Sequence, residues 1–530
     1  MMYDIIIKNG LIVDGTAGEP YDGAVCVKDG RISKIIRGAA DGETAETVFD
    51  AKGRVIAPGF IDIHTHSDYS YLFDPTMIGN ISSGVTFVVS GNCGRSPIPV
   101  RDTSAPLKVG GVFAEKHIDR EMFDAYDVTT YGENIAKHGC TTNYGALIGH
   151  GFLRNAIIGM EKRDLTDAEL TEMCDLANKM LEQGALGISL GLIYAPGSFC
   201  RTEELISLAK VVKKHDKLIC VHMRNENDYI FEAIDEMIEI GRKTGCRIEI
   251  SHLKLMGKRQ WGKSAKLLAK IDRARASGIR ITCDQYPYTS SSSGIASCYP
   301  VWALDGGFDA LADRCRDDAT WEKIVPELLE KMDSRGGAEN IIPGETGTVV
   351  HPEFIGKNLP QIADEMGLPL LEAIRQMTII CGGNVKCFYN NMSEEDVLAI
   401  MSRTDICTIS DGTTYDVKDY VGAPHPRNIG TFPRFFRLVR EHNLMPLQSA
   451  VARCTSLPAS VIRVDDEYGF IKEGYAASIT VFDPDNITDK ATYENGALLS
   501  EGIDLVLVNG EVVFKDGAVT SARPGRLVKR

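Results

Sequence analysis

The sequence lacks several features that would place it in a membrane or outside the cell. No apolar run approaches the roughly 18–20 residues of a membrane span. The first residues, MMYDIIIKNG, do not resemble the charged and apolar segments of a secretory signal. The fourteen cysteines include no C-x-x-C pair, and a chain of 530 residues can bury a core without disulfides. We therefore expect a reduced, cytoplasmic protein that does not bind membranes.

Clustered positive charge is also missing from the interior of the chain. The formal net charge is −15, and the short basic end at residues 526–530 does little to change it. Because nucleic-acid binding requires clustered Lys and Arg, we expect no nucleic-acid partner. The remaining expectation is an enzyme with a small-molecule substrate. Its oligomeric state is left open by the sequence.

Both ends of the chain are rich in short β-strands and tight turns. Asn9-Gly10 and Asp29-Gly30 separate apolar runs near the N-terminus, and Asn509-Gly510 and Asp516-Gly517 do the same near the C-terminus. Such dipeptides are strong signals for β-hairpins. We predict that residues 1–57 and 456–530 together form one small β-sandwich domain.

The long middle of the chain alternates predicted strands with predicted helices. Most of the strands are near-continuous apolar runs, which is typical of parallel strands buried on both faces. The eight candidates are VIAPGFIDIH, VTFVVSGNC, TTNYGALIG, ALGISLGLI, KLICVHMR, RIEISHLK, RITCDQYPY and DICTISDG. Eight such units predict an α/β fold, a (β/α)8 TIM barrel spanning residues 58–455.

Helix starts and one long gap complete this prediction. Thr166 and Glu169 form a capping-box pattern, and Thr202 is predicted to begin a helix in the same way.

About 115 residues separate Tyr288 from Asp405, far more than one helix needs. We predict an inserted, mostly helical subdomain at about 290–350. Whether it acts as a lid stays open.

Residues typical of metal sites occur at the predicted C-terminal ends of the barrel strands, where barrel enzymes place their function. They are His64 and His66 on strand one, Cys93 on strand two, His222 on strand five, His252 on strand six and Asp411 on strand eight. A barrel brings these ends together, and imidazole, thiolate and carboxylate are ligands that zinc prefers. The pattern predicts a metal site.

Single histidines are more often structural than metal-binding. We interpret four of them in this way: His117, His138, His215 and His442. The H-x-H pair alone would be weak support for a metal site. It becomes strong because two further histidines and a cysteine each end a strand of their own.

Several motifs resemble one enzyme group. GFIDIHTHSD with a late SDG is similar to the amidohydrolase superfamily. Within it, the chain resembles the N-acyl-D-amino-acid deacylases (D-aminoacylases) in the motifs SGNCG, HMRNE, SHLK, YPYTSSSS, HPR, GTFPR and RPGRLV. The resemblance implies zinc-dependent hydrolysis of a linear amide, which releases a carboxylate and a free D-amino acid.

The resemblance also implies roles for the candidate ligands. Cys93, His222 and His252 would hold one tight zinc ion. His64, His66 and Asp411 would line an adjacent, weaker metal position, whose occupancy stays open. Related hydantoinases and dihydroorotases bridge two metals with a carboxylated lysine at the end of strand four, whereas strand four here ends SLGLIYAPG without a lysine.

The expected chemistry needs an activated water and a proton carrier. Zinc lowers the pKa of bound water to about 7 and polarises the amide carbonyl. Asp411 is predicted to take the proton from this water and pass it to the leaving nitrogen. Its alternative role is a helix cap within the segment Ser410-Asp411-Gly412.

An N-acyl amino acid carries a carboxylate that the enzyme must bind. The resemblance assigns this contact to Lys254 and Arg427, assisted by Tyr194 and Tyr286, with Arg434 as a further candidate. An ordinary salt bridge is the alternative for each cation. The serines at 290–293 could contact substrate or form a hinge, and the loop at 191–197 lacks a phosphate-binding pattern.

Two other functions compete with deacylation. The first is hydrolysis of a cyclic amide, as in hydantoinases and dihydropyrimidinases, against which the missing lysine argues. The second is a catalytically inactive barrel that serves as a scaffold. Inactive barrels typically lose metal ligands, whereas all six candidate positions are occupied by suitable residues here.

Overall fold

The computed structural model describes residues 2–100, 107–108, 116–119, 121–347, 349–418 and 422–530. Strands β1–β22 of these residues are, in chain order, Met2–Ile12, Tyr21–Lys28, Arg31–Arg37, Thr44–Asp50, Val55–Pro58, Phe60–Asp62, Val85–Ser90, Leu107–Lys108, His117–Ile118, Asn143–Gly149, Gly187–Gly191, Leu218–His222, Arg247–Ile250, Ile281–Gln285, Ser290–Gly294, Ile341–Thr346, Val385–Asn390, Cys407–Thr408, Ile479–Phe482, Ile503–Val508, Glu511–Lys515 and Ala518–Val519.

The helices of the described residues occupy mainly the middle of the chain. Helices α1–α16 are, in chain order, Ser70–Phe73, Ile78–Ile81, Val128–His138, His150–Ile158, Asp167–Glu182, Thr202–Lys214, Ile230–Thr244, Ser264–Ala276, Gly307–Arg316, Asp318–Ser334, Leu359–Met366, Leu370–Ile380, Glu394–Met401, Arg427–His442, Leu447–Cys454 and Ser456–Ile462. None of these helices is long and apolar enough to cross a membrane.

The predicted barrel is present as a sheet of eight parallel strands. Their order around the sheet is β6, β7, β10, β11, β12, β13, β14 and β18. Strand β18 has only two residues, and closure against the first strand is completed by a parallel bridge between Thr65 and Gly412. The strands are buried along their lengths, and their apolar side chains form one large core with the surrounding helices.

The two ends of the chain meet in one sheet, as predicted. The nine-stranded sheet combines β1–β5 with β19–β22, and β19 pairs antiparallel with β5 at the junction of the two halves. The predicted hairpin turn at Asn9-Gly10 is wrong, because both residues lie inside β1, at an irregularity of its pairing with β2. The other three predicted turns have Asn or Asp with positive φ before Gly, at Asp29, Asn509 and Asp516. This is the backbone that Asn-Gly and Asp-Gly hairpins require.

The inserted subdomain between β14 and β18 contains more than helices. Helices α9–α12 pack into a separate apolar core, and beside them β15, β17 and β16 form a three-stranded antiparallel sheet. The central strand, Val385–Asn390, lies beyond residue 350, so the insertion extends further along the chain than its predicted helical part.

One predicted helix cap is present and one is not. Thr166 accepts a hydrogen bond from the Glu169 backbone in a full capping box. The predicted cap at Thr202 is wrong, because Thr202 is already the first helical residue after Arg201. Its hydroxyl instead donates to Glu236 at 2.9 Å, which ties α6 to α7.

Candidate metal centre

The six predicted ligands converge at the C-terminal end of the barrel. Cys93 Sγ lies 3.3 Å from His64 Nε2, 3.6 Å from His222 Nδ1 and 3.5 Å from His252 Nε2. Asp411 Oδ1 lies 3.0 Å from His66 Nε2 and 3.5 Å from His64 Nε2. Four of these residues each offer a ligand atom within 4.8 Å of the other three: His64, Cys93, His252 and Asp411.

Cys93 is central to this cluster. It contacts His64 as closely as it contacts His222 and His252, so its sulfur touches residues predicted for both metal positions. Burial alone would raise the pKa of the thiol, but the charge of His64 and hydrogen bonds from the histidines hold it well below its ordinary value. A thiolate at this position is a strong ligand for zinc.

Three of the predicted ligands lie on unusual backbone. Cys93, His252 and Asp411 have φ values of 52°, 38° and 49°, in the left-handed region that residues with a side chain seldom adopt. Each residue directly follows or closely follows a barrel strand. Backbone strain of this kind is concentrated at functional sites, where the surrounding structure holds it in place.

Glycines allow the Cys93 loop to lie directly on strand β11. A Cβ on Gly191 would meet the Cys93 carbonyl oxygen at 2.0 Å, and one on Gly94 would meet the Gly191 nitrogen at 2.6 Å. No side chain fits at either place. The end of strand four therefore accommodates the cysteine loop, in agreement with the absence of a bridging lysine there.

Glu226 is a further residue of the site, with a contact to two of the histidines. Its side chain is 3 % exposed. One carboxylate oxygen lies 2.9 Å from His252 Nδ1, and the other lies 3.5 Å from His222 Nε2. These are the ring nitrogens that do not face Cys93. A carboxylate in this position orients metal-binding imidazoles and increases their basicity.

The sequence contained Glu226 within the motif HMRNE but gave no sign of its role. His222 and Glu226 are four residues apart, a spacing that places side chains together on a helix. Here Glu226 lies in the loop after β12, before α7 begins at Ile230. The contact therefore depends on the loop path, which residue spacing does not reveal.

The predicted substrate-binding cations both have partners inside the site. Lys254 Nζ donates to Glu226 at 2.7 Å and lies 2.7 Å from His252 Nδ1. Arg427 Nη1 lies 3.0 Å from Asp411 Oδ2. Burial alone would raise the pKa of Asp411, but the charges of Arg427 and His252 hold it well below its usual range.

Two predicted tyrosines lie against these groups. The ring of Tyr194 is 4.9 Å from that of His222. The ring of Tyr286 is stacked under the guanidinium of Arg427 at 4.8 Å, and its buried hydroxyl has no hydrogen-bond partner among the described residues. Nε of Arg427 also has none among them, whereas Nη1 faces Asp411 Oδ2 at 3.0 Å.

Other candidates lie elsewhere. Arg434 bonds Asp489 at 3.1 Å and the carbonyl of Pro287, so it has a structural partner. The serines at 290–293 form strand β15, paired with β17.

Three of the histidines that we interpret as structural, His138, His215 and His442, belong to none of the possible metal-binding groups among the described residues. The side chain of His117 lies outside the part that the structure describes.

A second group of residues that could hold a metal ion consists of His150, Cys200 and Glu204. The carboxylate of this group already has partners within the protein. Glu204 accepts from His150 Nε2 at 2.7 Å and from the buried guanidinium of Arg154. Burial raises the pKa of the Cys200 thiol to about 12. A neutral thiol beside an arginine is a poor cation site, so these residues form a buried ion pair under the barrel rim.

Comparisons with known proteins agree with this geometry. A sequence profile of the Amidohydrolase family matches residues 47–284 and 410–514. The N-acyl-D-glutamate deacylase of Alcaligenes xylosoxydans xylosoxydans is 34% identical over 99% of this chain and 96% of its own length. The chain belongs to the amidohydrolase family.

Solved structures of family members cover the whole chain. The N-acyl-D-glutamate deacylase of Bordetella bronchiseptica, complexed with zinc and a phosphonate that mimics the tetrahedral intermediate, matches with a TM-score of 0.83 and 33% identity, covering 100% of both chains. D-aminoacylase, described with a binuclear centre activated by one metal and attenuated by the second, matches with a TM-score of 0.81 and 30% identity, also over 100% of both chains. L-hydantoinase from Arthrobacter aurescens, at 15% identity and a TM-score of 0.58, shares the fold alone.

Proposed function

We propose that this amidohydrolase cleaves the amide bond of N-acyl-D-amino acids in a zinc-dependent reaction that releases a carboxylate and a free D-amino acid. The observation that carries the proposal is the contact of one buried cysteine, Cys93, with three histidines beside Asp411. This ligand set accompanies 34% and 33% identity to N-acyl-D-glutamate and N-acyl-D-aspartate deacylases.

The donor set fits zinc. A thiolate, neutral imidazole nitrogens and a carboxylate are its usual ligands, and four ligand atoms lie within 4.8 Å of one another. We assign Cys93, His222 and His252 to a tight zinc position, and His64, His66 and Asp411 to a weaker one. Bound zinc supplies a water acidified to a pKa of about 7 and an electrophile for the amide carbonyl.

Asp411 is the proposed carrier of the proton. Its Oδ1 faces His64 and His66, and its Oδ2 faces Arg427, so the carboxylate is ionised and held in position. An ionised carboxylate can accept a proton from the attacking water. It can then donate this proton to the amide nitrogen, which must be protonated before the C–N bond breaks.

The unpaired donors of Arg427 and Tyr286 provide a place for the substrate α-carboxylate. Nε of Arg427 and the hydroxyl of Tyr286 are buried without a hydrogen bond to any described residue. Buried polar groups without partners are costly, unless a ligand completes their bonds. An arginine fork binds a carboxylate through two parallel hydrogen bonds. We assign Lys254 and Tyr194 to the walls around this subsite.

Cyclic-amide hydrolysis and an inactive scaffold are less well supported. The hydantoinase-type lysine is missing from the end of β11, where the Cys93 loop fills the space. A scaffold would not need three ligands on left-handed backbone. All fourteen cysteines are free, which agrees with the reducing cytoplasm that we propose as the location.

An amine-release assay tests the proposal. N-acetyl derivatives of D- and L-amino acids are incubated with the protein, first after chelation and then after addition of zinc. We expect zinc-dependent release of amine from D substrates. Preference for L substrates would contradict the assignment, and equal turnover of a hydantoin would favour the cyclic-amide alternative.

A further inference from the structure

Arg335 is a buried cation without a protein counter-ion. It follows the last residue of α10 and is 7 % exposed. Its guanidinium lies 5.1 Å above the ring of Tyr389, and Nη1 donates one long hydrogen bond of 3.4 Å to Ser293 Oγ. Across the described part of the chain, no carboxylate forms an ion pair with it.

The other buried arginines of the described residues are better satisfied. Arg154 pairs with Glu204, and Arg427 pairs with Asp411. Arg453 donates to the backbone carbonyls of residues 401 and 403. Burying a cation without compensation is costly, so an unpaired guanidinium calls for an anionic ligand.

Arg335 belongs to the same site as the metal cluster. Its neighbour Ser334 accepts a hydrogen bond of 2.8 Å from Asn227, the residue after Glu226. Glu226 in turn contacts His222 and His252. Two contacts and two peptide bonds therefore connect Arg335 to the predicted metal ligands.

The electrostatic environment of Tyr194 also places Arg335 close to the metal cluster. Burial raises the pKa of the Tyr194 phenol, the charges of Cys93, Asp411 and Glu226 add to this effect, and Arg335 opposes it. One tyrosine is thus within electrostatic reach of both the cysteine ligand and Arg335. The ring of Tyr194 lies 4.9 Å from that of His222.

The charges of the site show what Arg335 can bind. Lys254 is paired with Glu226, and Arg427 with Asp411. In the proposed function, Arg427 Nε and the Tyr286 hydroxyl bind the α-carboxylate. Arg335, from the insertion, is then a second cation, which has no role in binding a substrate with a single carboxylate.

We propose that Arg335 binds the side-chain carboxylate of the substrate, so that the preferred substrates are N-acyl derivatives of acidic D-amino acids. This inference rests on the proposed function. The α-carbon of the substrate carries an amide, a carboxylate and a side chain. With the amide at the metal cluster and the α-carboxylate at Arg427, the side chain is the group left for Arg335.

The test compares acidic substrates with neutral substrates of the same shape. kcat and KM are measured for N-acetyl-D-glutamate and N-acetyl-D-aspartate, and for the corresponding glutamine and asparagine derivatives. The native protein is expected to prefer the acids. Arg335→Gln should lower kcat/KM for the acids by about a hundredfold, mainly through KM, and change the neutral amides less than about threefold.

Two further variants control for folding and charge. Arg314→Gln removes an arginine of the same insertion whose guanidinium donates only to the carbonyls of Ala303 and Asp305, and it should keep the acid preference. Arg335→Lys retains the charge without the planar fork. It should keep a reduced preference for acids, and it remains informative if Arg335→Gln does not fold.

The outcomes separate this inference from the proposed function. Faster turnover of neutral than of acidic D substrates by the native protein would overturn the inference alone. An equal loss on acids and amides in Arg335→Gln would also overturn it, because Arg335 would then contact a part common to both. No turnover of any N-acyl-D-amino acid would overturn the proposed function and this inference together.

Discussion

Oε1 of Glu226 lies 2.9 Å from Nδ1 of His252, while Nε2 of the same ring faces the Cys93 sulfur at 3.5 Å. The carboxylate favours a proton on Nδ1, the ring nitrogen that also lies 2.7 Å from Lys254 Nζ. With Nδ1–H donated to Glu226, Nε2 is left with a free lone pair for a metal ion. We therefore expect Glu226 to act as a positioning residue for the metal centre.

Glu226→Gln should weaken zinc binding by about 10- to 100-fold, because an amide polarises the two imidazoles less than a carboxylate does. Zinc affinity is measured by competition with a chromophoric chelator. Glu236→Gln is the matched control, since Glu236 pairs with Arg224 rather than with a metal ligand. Unchanged affinity in Glu226→Gln, together with lost turnover, would show that Glu226 acts on the reaction and not on the metal.

Asp411→Asn should keep zinc but lose turnover by about 10²- to 10⁴-fold, because the amide cannot take up the proton of the attacking water. Metal content and single-turnover rate are measured on the same sample. Asp416→Asn, whose carboxylate accepts from the Lys418 backbone at 2.9 Å, serves as a control. Turnover at the native rate in Asp411→Asn would remove this residue from the reaction.

Tyr286→Phe should change substrate binding and not stability, whereas Tyr299→Phe should change stability and not substrate binding. The Tyr286 hydroxyl is buried without a partner, so its loss should raise KM about tenfold and leave stability nearly unchanged. The Tyr299 hydroxyl lies 2.6 Å from Thr378 Oγ1 in the insertion core. Its loss should cost about 1 kcal/mol of unfolding free energy and leave KM unchanged. Both variants are tested by measuring KM and the free energy of unfolding in denaturant. An unchanged KM in Tyr286→Phe would exclude a contact between the Tyr286 hydroxyl and the substrate.

Asp405 should contribute stability that depends on pH. Burial alone would raise its pKa, but hydrogen bonds from Arg403 and the charges of Arg275 and Arg403 lower it to about 2. A carboxyl with a lowered pKa in the folded state stabilises the protein above its unfolded pKa, about 4, and loses this contribution as pH falls toward 2.

Asp405→Asn should therefore be less stable than the native protein at pH 6, and the difference should shrink as pH falls from about 4 toward 2. Unfolding free energies in denaturant, measured at several pH values, give this difference. A constant difference across that range would show that the ion pair does not account for the effect.

The barrel and its ligands could be predicted because their signals are local. Each parallel strand is an apolar run, and the six predicted ligands follow five of these strands, so topology alone brings Cys93 to His64 across 29 residues of sequence. The terminal sheet was predictable for the same reason, since Asp29-Gly30, Asn509-Gly510 and Asp516-Gly517 mark its hairpin turns. The dipeptide Asn9-Gly10 carries the same signal but lies inside β1. The assignment of the six ligands to two metal positions stays a prediction.

The remaining features depend on contacts that sequence patterns do not encode. The serine run at 290–293 has the composition of a loop, yet it is a strand because Val385–Asn390, about a hundred residues later, pairs with it. Glu226 and Arg335 lie in or beside loops, where no periodicity shows the direction of a side chain. Thr202 resembles a cap, but its hydroxyl is bonded to a neighbouring helix instead.

The most direct test of the account is a zinc titration of chelated protein, in which bound zinc and the rate of amine release from an N-acetyl-D-amino acid are followed together. We expect no activity without metal, a rate that rises in proportion to the first equivalent of zinc per chain, and a much weaker response in Cys93→Ser. Full activity in metal-free protein, or the same zinc affinity in Cys93→Ser as in the native protein, would contradict a metal centre built on Cys93.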